Sequence, residues 1–327
     1  MKGRSAIGGR AGRTPSLSPY ASIVARVAES LAVVWLLASL VFFALRVLPG
    51  DPATLILGDD ASPAELARLR TALHMDRPLV AQYGEFLRGL ATLDLGDSIR
   101  RPGVKAMERV LTSLGPTSAL AGVAVAIGAV LGIAAALLAA GPWLSPRGKR
   151  GVERALVATS AVPLLAFAPV LTYALAARAR VIPLPGDPDA GAAGLLFAST
   201  LLSIPLAAHV GRVARASLAD VEGALFLVVA RAKGAGSVRV WVRHALPAVS
   251  GPILTVVATQ LGALLGGAVV LERLFERAGL GTLILDAYQT RDLPVLEGAV
   301  VAAGGLFVIT QAAAAAIHAA IDPRVRA

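Results

Sequence analysis

The side chains that most often carry catalysis are few and scattered. Four histidines, His74, His209, His244 and His318, are the only imidazoles in 327 residues, and no two stand at a spacing that would hold a metal. There is no cysteine, which excludes a thiolate nucleophile, a thiolate metal site and a disulfide framework. Ser199 and Ser203 have only His209 nearby and no acid in reach along the chain, so a membrane-embedded hydrolase set is not assembled. The one Gly-Lys pair, Gly148-Lys149, runs on into Arg150 and has Trp143 where a P-loop needs its first glycine. No catalytic residue, metal site or cofactor is assigned. If nucleotide drives this protein, another chain must bind it.

The elements that carry these residues are apolar. Hydrophobic residues make up 56% of the chain and charged ones 16%, with a mean hydropathy of +0.71; soluble domains carry roughly 25% charged residues. Uncharged stretches reach the ~20 residues needed to cross ~30 Å of hydrocarbon. The sequence predicts six spans: Ile23 to Leu45, Pro116 to Ala140, Ala155 to Ala177, Gly191 to Val210, Pro252 to Leu271 and Ala299 to Ile321. Glycines crowd the second (Gly122, Gly128, Gly132) and the fifth (Gly262, Gly266, Gly267), where small residues let backbones approach in lipid. The first span follows basic residues, as a signal peptide would, but ends in Ala44-Leu45-Arg46 with no small-x-small site beyond it, and reads as retained.

The net charge of +10 is unevenly placed. Basic residues exceed acids in the N-terminal tail, in Gly141 to Arg154, in Gly211 to Ser250 and after Ile321. Pro49 to Val110, Arg178 to Ala190 and Glu272 to Glu297 are balanced or acidic. By the positive-inside rule both termini are expected in the cytoplasm. Anionic lipid headgroups account for the basic excess without nucleic acid as a partner.

One cytoplasmic segment is too long for a connector. Val221 to Ala232 is nearly all apolar and ends in Arg231, Lys233 and Gly234, the signature of a helix C-terminus with a glycine cap. Val238, Trp241, Val242, Ala245 and Leu246 then form one helical stripe, Arg239 and Arg243 share another face, and Pro247 is expected to stop the helix. Such a hairpin fits either an interfacial pair on the headgroups or a docking element seated in a groove of a soluble partner.

Ala230-Arg231-Ala232-Lys233-Gly234 followed by His244-Ala245-Leu246-Pro247 resembles the EAA loop of binding-protein-dependent ABC importer permeases, closest to the oligopeptide/dipeptide and nickel group. Leu48-Pro49-Gly50-Asp51-Pro52-Ala53, Met75-Asp76-Arg77-Pro78-Leu79 with Gln82-Tyr83, Asp94-Leu95-Gly96-Asp97-Ser98 and Arg215-Ala216-Ser217-Leu218 are similar to further motifs of that family. So are Gln260 to Val270 with Gly279-Leu280-Gly281, and the closing Asp322-Pro323-Arg324-Val325-Arg326. The resemblance implies an all-α polytopic membrane protein of six transmembrane helices with the type I ABC importer permease fold. It implies a bacterial inner-membrane subunit that forms half of a path for peptides, nickel or other small solutes. Its partners would be a second homologous permease, two ATP-binding cassette ATPases and an extracytoplasmic substrate-binding protein. Ala230, Arg231, Ala232, Lys233, Gly234, His244, Leu246 and Pro247 would be the ATPase-coupling residues. The sequence departs from the family where Ala224 and Leu225 replace an acidic pair and Val228 a polar residue, leaving Phe226 as the aromatic.

On this reading the chain divides into a basic tail 1–22, a first transmembrane helix 23–48, an extracytoplasmic loop 49–112 and a permease core 113–327 containing the coupling loop 211–251. In the long external loop, Ser62 with Glu65 three residues later predicts a capped helix, within either a structured cap or a binding-protein surface. Gln260 and Gln311 either line a path or bond helix to helix. His209 and His318 read as interfacial, and Arg46 as snorkelling to headgroups. An ion-coupled secondary transporter is the competing class; it calls for ionisable residues at mid-membrane, and no acid stands in the middle of a predicted span.

Overall fold

A computed structural model of the chain describes residues 19–47, 53–54, 58, 61–72 and 76–321. The basic tail before Pro19, Leu48 to Pro52, His74, Met75 and the closing Asp322 to Arg326 lie outside the described residues, as does the side chain of His318. The described residues are helical apart from loops and one isolated bridge between Asp97 and Lys105. In chain order the helices are α1 (Pro19–Val47), α2 (Pro63–Ala72), α3 (Leu79–Thr92), α4 (Ala106–Ala140), α5 (Pro146–Ala161) and α6 (Leu164–Thr172). They continue with α7 (Gly191–Val221), α8 (Leu225–Ala232), α9 (Arg239–Ala248), α10 (Ser250–Leu274), α11 (Leu280–Gln289) and α12 (Leu293–Ile321). Among the described residues four helices are long and apolar enough to cross a membrane, and up to six spans result when each of two bent pairs counts as one.

Three expected boundaries move, each for a local reason. α4 starts at Ala106, inside the expected loop, and takes Pro116 into its interior; helices in lipid tolerate proline where neighbouring groups satisfy the freed carbonyl. α7 does not end near Val210 but runs to Val221, so the first part of the expected loop 211–251 is helix. Gly211 is there for close packing rather than as a stop: a Cβ at this position would stand 2.7 Å from Leu156 Cδ2. The third span is broken instead of straight. Val162 precedes Pro163, which disfavours the α region, and is extended at φ −87°, ψ 121°. As a result α5 and the segment Ala166–Arg178 meet at 106°. Arg147, Lys149, Arg150 and Arg154, expected in a loop, lie on α5, whose N-cap Ser145 accepts a bond from Gly148 N–H at 3.2 Å.

The spine of the bundle is α4 against α7. Ser199 Oγ donates to the Leu120 carbonyl at 3.2 Å, Gly128 faces Leu206 and Gly132 faces Val210. Numbers rise together along both helices, so the two run parallel. Leu120, Ala124 and Ala136 meet Leu202, Leu206 and Val210, all buried, and Leu264 and Leu271 of α10 close the same core. α1 packs on α12 through Ala38, Phe42 and Val301 and leaves Leu31, Leu36 and Leu40 exposed, the surface expected toward hydrocarbon.

A methyl group on Gly132 would stand 2.6 Å from the Ala207 carbonyl oxygen, whereas one on Gly122 would meet nothing within 4 Å. Gly132→Ala should therefore cost roughly 1–3 kcal/mol by forcing the two helices apart. Gly122→Ala should be neutral or stabilising by up to about 1 kcal/mol. Thermal unfolding of both variants in the same detergent checks this; equal melting temperatures would remove the glycine contact from the account of the spine.

Candidate functional site

The predicted hairpin is present, with its elements redrawn. Val221 closes α7 rather than opening a new helix, and α8 begins at Leu225. Its end is a glycine cap with both reciprocal bonds: Ala235 N–H donates to the Ala230 carbonyl at 3.1 Å and Gly234 N–H to the Arg231 carbonyl at 2.9 Å. Gly234 has φ +82°, a left-handed conformation that L side chains resist, although no atom lies within 4 Å of the place a Cβ would take. The requirement for glycine comes from the backbone, not from crowding.

The second arm departs from the expected α-stripe. Arg239–Ala245 is a π-helix, and Pro247 does not stop it but sits in the short helical turn that follows. The break to α10 comes at Val249 (φ −111°, ψ 12°), and the two helices meet at 64°. Proline has no N–H and crowds the carbonyl of the preceding turn, so a widened i→i+5 turn before Pro247 is compatible with it. The changed period re-sorts the faces. Val240, Trp241 and Ala245 are buried against the core, while Val238 and Val242, placed on the stripe by sequence, are exposed.

Of the eight coupling candidates, Ala230 is buried, His244 and Leu246 are half-buried, and Arg231, Ala232, Lys233, Gly234 and Pro247 are exposed. Arg239 and Arg243 are exposed as well. Beside these cations stand exposed Leu225, Phe226, Val228 and Val229, so the hairpin presents a mixed apolar and basic surface. Its other side is tied to the bundle through Leu227, Ala230 and Trp241.

Gln260 borders an apolar cavity of about 350 Å³ between α6, α7 and α10, walled by Leu164, Leu202, Leu206 and Leu264. Gln311 is half-buried on α12 and is not among the residues that line it. His209 lies on the α5 side of α7, where its Nδ1–H donates to the Pro205 carbonyl at 2.9 Å.

At the opposite end of the spine, three buried carboxylates escaped the sequence reading, which placed them in a loop. Glu272, 1% exposed, belongs to α10. It accepts from Thr117 Oγ1 at 2.5 Å and from the N–H groups of Gly281 and Thr282 at 2.8 and 3.1 Å. A carboxylate thus holds the N-terminus of α11, where unpaired N–H groups and the helix dipole favour negative charge. Thr117 accepts from Leu280 N–H at 2.7 Å, so α4, α10 and α11 meet at one point. Asp292, fully buried, accepts from Ser98 Oγ, from Ile99 N–H at 3.1 Å and from Arg109 Nη1 at 3.2 Å. Glu297 of α12 pairs with Arg46 at 2.6 Å, and Arg46 also stacks on Phe42 and donates to Gln82. Arg46 is a bundle tie and does not snorkel. The signal available in sequence was the Thr-Gly-Asp-Glu composition near helix ends, which reads equally well as a solvated loop.

The expected cap at Ser62 is formed reciprocally: Glu65 N–H donates to Ser62 Oγ at 3.3 Å and Ser62 N–H to Glu65 Oε2 at 2.9 Å. Bonds from the Ser62 hydroxyl and then its N–H hold the Glu65 carboxyl below its ordinary range. In the Asp94 to Ser98 motif, Asp94 accepts from Gly96 N–H at 3.1 Å and Lys105 reaches both Asp94 and Asp97 at 3.4 Å. Within the segment 49–112, α2 is thus capped at its own start and the loop from Asp94 to Lys105 is tied by these bonds.

Residues 118–327 match the family described as binding-protein-dependent transport system inner membrane component, and residues 20–99 match its N-terminal region. The chain is 30% identical over 314 residues to a probable peptide ABC transporter permease of Sinorhizobium fredii, covering 93% of this chain and 98% of that one. It is 30% identical to the dipeptide transport system permease of Alkalihalophilus pseudofirmus, over 87% and 93% of the two chains. It is also 30% identical to the glutathione transport system permease of Escherichia coli, over 93% and 98%.

Removing the carboxylate at Glu272 would leave two buried helix N–H groups without their acceptor and Thr117 with only the Ser113 carbonyl at 3.3 Å. Glu272→Ala should lower stability by roughly 3 kcal/mol. Glu272→Gln, which keeps one acceptor oxygen, should lose less. Thermal unfolding in detergent ranks the two, and an alanine variant as stable as the parent would show that the α11 anchor is not needed.

Proposed function

The chain belongs to the family of binding-protein-dependent transport system inner membrane components, and from that membership we propose a specific arrangement for it. It is a multi-pass inner-membrane permease. In the proposed arrangement it pairs with a second, homologous permease, is driven by two ATP-binding cassette ATPases and receives solute from an extracytoplasmic binding protein. Relatives whose names specify peptides, dipeptides and glutathione support peptide-type cargo. Both termini and the hairpin face the cytoplasm, in keeping with the basic residues around them. Segment 49–112 and α11 face outward, where the binding protein docks.

The observation that carries this reading is the hairpin itself. Exposed Leu225, Phe226, Val228 and Val229 stand at a helical spacing beyond the end of α7, among four exposed cations. An amphipathic helix of this kind is recognised by laying its apolar face into a groove. Trp241 and Ala245 seat the other arm in the core, so a push on α8 moves the spine as a rigid body instead of being absorbed locally. Arg231, Lys233, Arg239 and Arg243 orient the hairpin in an ATPase cleft, Ala232 and Gly234 form its elbow, and Leu246-Pro247 leads to α10. Gln260 lines the path. Ala224 and Leu225 stand where the family usually has an acidic pair and Val228 where it has a polar or charged residue, so this interface relies more on apolar burial than on ion pairs.

Two variants separate attachment from coupling. Phe226→Asp should weaken ATPase retention in mild detergent at least about tenfold, equivalent to ~1.4 kcal/mol. Gly234→Trp should keep the chain folded, since the site is open, but distort the elbow; ATP hydrolysis should continue while peptide uptake into vesicles is lost. Uptake at the parental rate by Gly234→Trp would overturn the coupling role, and solute transport by the purified chain alone would overturn the ATP-driven reading.

A further inference from the structure

At the end of the spine away from the hairpin, the start of α4 and the α10–α11 connection enclose a cavity of about 620 Å³. That volume lies within the roughly 300–1,000 Å³ of small-molecule sites. Four guanidinium groups border it, Arg101, Arg109, Arg273 and Arg277, against two carboxylates, Glu276 and Asp286. Their partners divide unevenly. Arg109 is paired with Asp292 at 3.2 Å and Arg273 with Asp286 at 3.4 Å. Glu276 leans the other way: its Oε2 would stand 2.6 Å from a Cβ on Gly186, in the neighbouring depression. Among the described residues no ion pair is made by Arg101 or Arg277. Arg277 Nε is buried with no hydrogen-bond partner among the described residues.

We propose that this cavity is a binding site for the carboxylate of a small solute, held between Arg101 and Arg277. Guanidinium groups bind carboxylates through paired, charge-assisted bonds, whereas the hydroxyls of Thr112 and Ser113 on the same wall are committed to carbonyls of α4, which leaves the two arginines as the charged donors. An incompletely satisfied cation in a partly dry wall gains more from an incoming anion than a solvated surface arginine does. Every unmodified linear peptide ends in a carboxylate. The site thus deepens the peptide reading, on which its placement at the outer mouth of the path rests: the permease itself would hold the C-terminal end of the cargo at entry. Concavity favours a small solute over an acidic side chain on the convex surface of a docking protein.

The test is thermal stabilisation of the purified full-length chain, with no ATPase or binding protein present. Trialanine at about ten times its dissociation constant should raise the melting temperature by about 2 °C, whereas trialanine amide, lacking the carboxylate, should not. Arg101→Gln, at an exposed position with little risk to folding, should abolish the rise. Arg277→Lys should retain part of it, and Arg150→Gln on α5 should leave it intact. The proposal is overturned if trialanine gives no rise in the parent, if the amide matches it, or if Arg101→Gln responds like the parent. ATPase co-purification is a separate measurement, so loss of this site would leave the permease assignment standing, and the reverse would also be visible.

Discussion

Everything in this bundle hangs on the close parallel contact of α4 with α7. In lipid the helices gain nothing from hiding apolar surface from one another, so association depends on how many atoms can touch. Gly128 and Gly132 remove the Cβ atoms that would hold the pair apart, and Leu206, Ala207 and Val210 fill the space. The contact has consequences at both ends. α7 continues without interruption into the turn before α8, and α4 carries Thr117, which meets the Glu272 anchor. One rod pair therefore links the hairpin at one end to the polar ties at the other.

Those ties show how the membrane changes the role of charge. Glu272, Asp292 and Glu297 are each enclosed and each committed: to a helix N-terminus, to Arg109 with Ser98, and to Arg46. A buried carboxylate left alone would be very costly, so each binds strands of chain distant in sequence. Glu297 and Arg46 join the first and last spans, and Asp292 joins the loop after α3 to the start of α12. Because all three are already paired, they hold architecture and leave no free carboxylate in that group for ion coupling. Gly279 belongs to the same set, because a Cβ there would stand 2.1 Å from Glu272 Cδ.

Legibility from sequence followed the scale of each signal. Spans are readable because twenty uncharged residues admit few alternatives, and the elbow is readable because Gly234 sits just past two cations at a helix end. The Ser62–Glu65 cap, a purely local motif, formed as expected. What failed was non-local or depended on period. Pro116, Pro163 and Pro247 look alike in sequence, yet one lies inside an unbroken helix, one breaks a span and one follows a π-turn. Neighbouring helices decide which. A valine stripe assigned at 3.6 residues per turn lost its register once Arg239–Ala245 widened. Glu272 and Asp292 were unreadable as core because their partners, Thr117 and Arg109, stand more than a hundred residues away.

The same geometry bears on how movement at the hairpin would reach the far end. α10 enters from α9 at 64°, passes Gln260, and carries Glu272 in its last turn. The hairpin thus addresses the α11 anchor by two routes, through α7 with α4 and through α10. If the routes move together, the Glu272 cluster travels intact; if α10 rotates against α4, the Thr117 to Glu272 bond is the first to be strained, since it crosses between them. A carboxylate with several donors tolerates such exchange, because Gly281 and Thr282 keep their bonds when Thr117 leaves. Arg277, five residues beyond Glu272 and bonded to its carbonyl through N–H at 2.8 Å, would move with that end of α10. Shifting it relative to Arg101, which precedes α4, changes the separation of the two unpaired cations. A site built from those two groups would therefore hold or release a carboxylate according to the position of α10 against α4, without a dedicated gate residue.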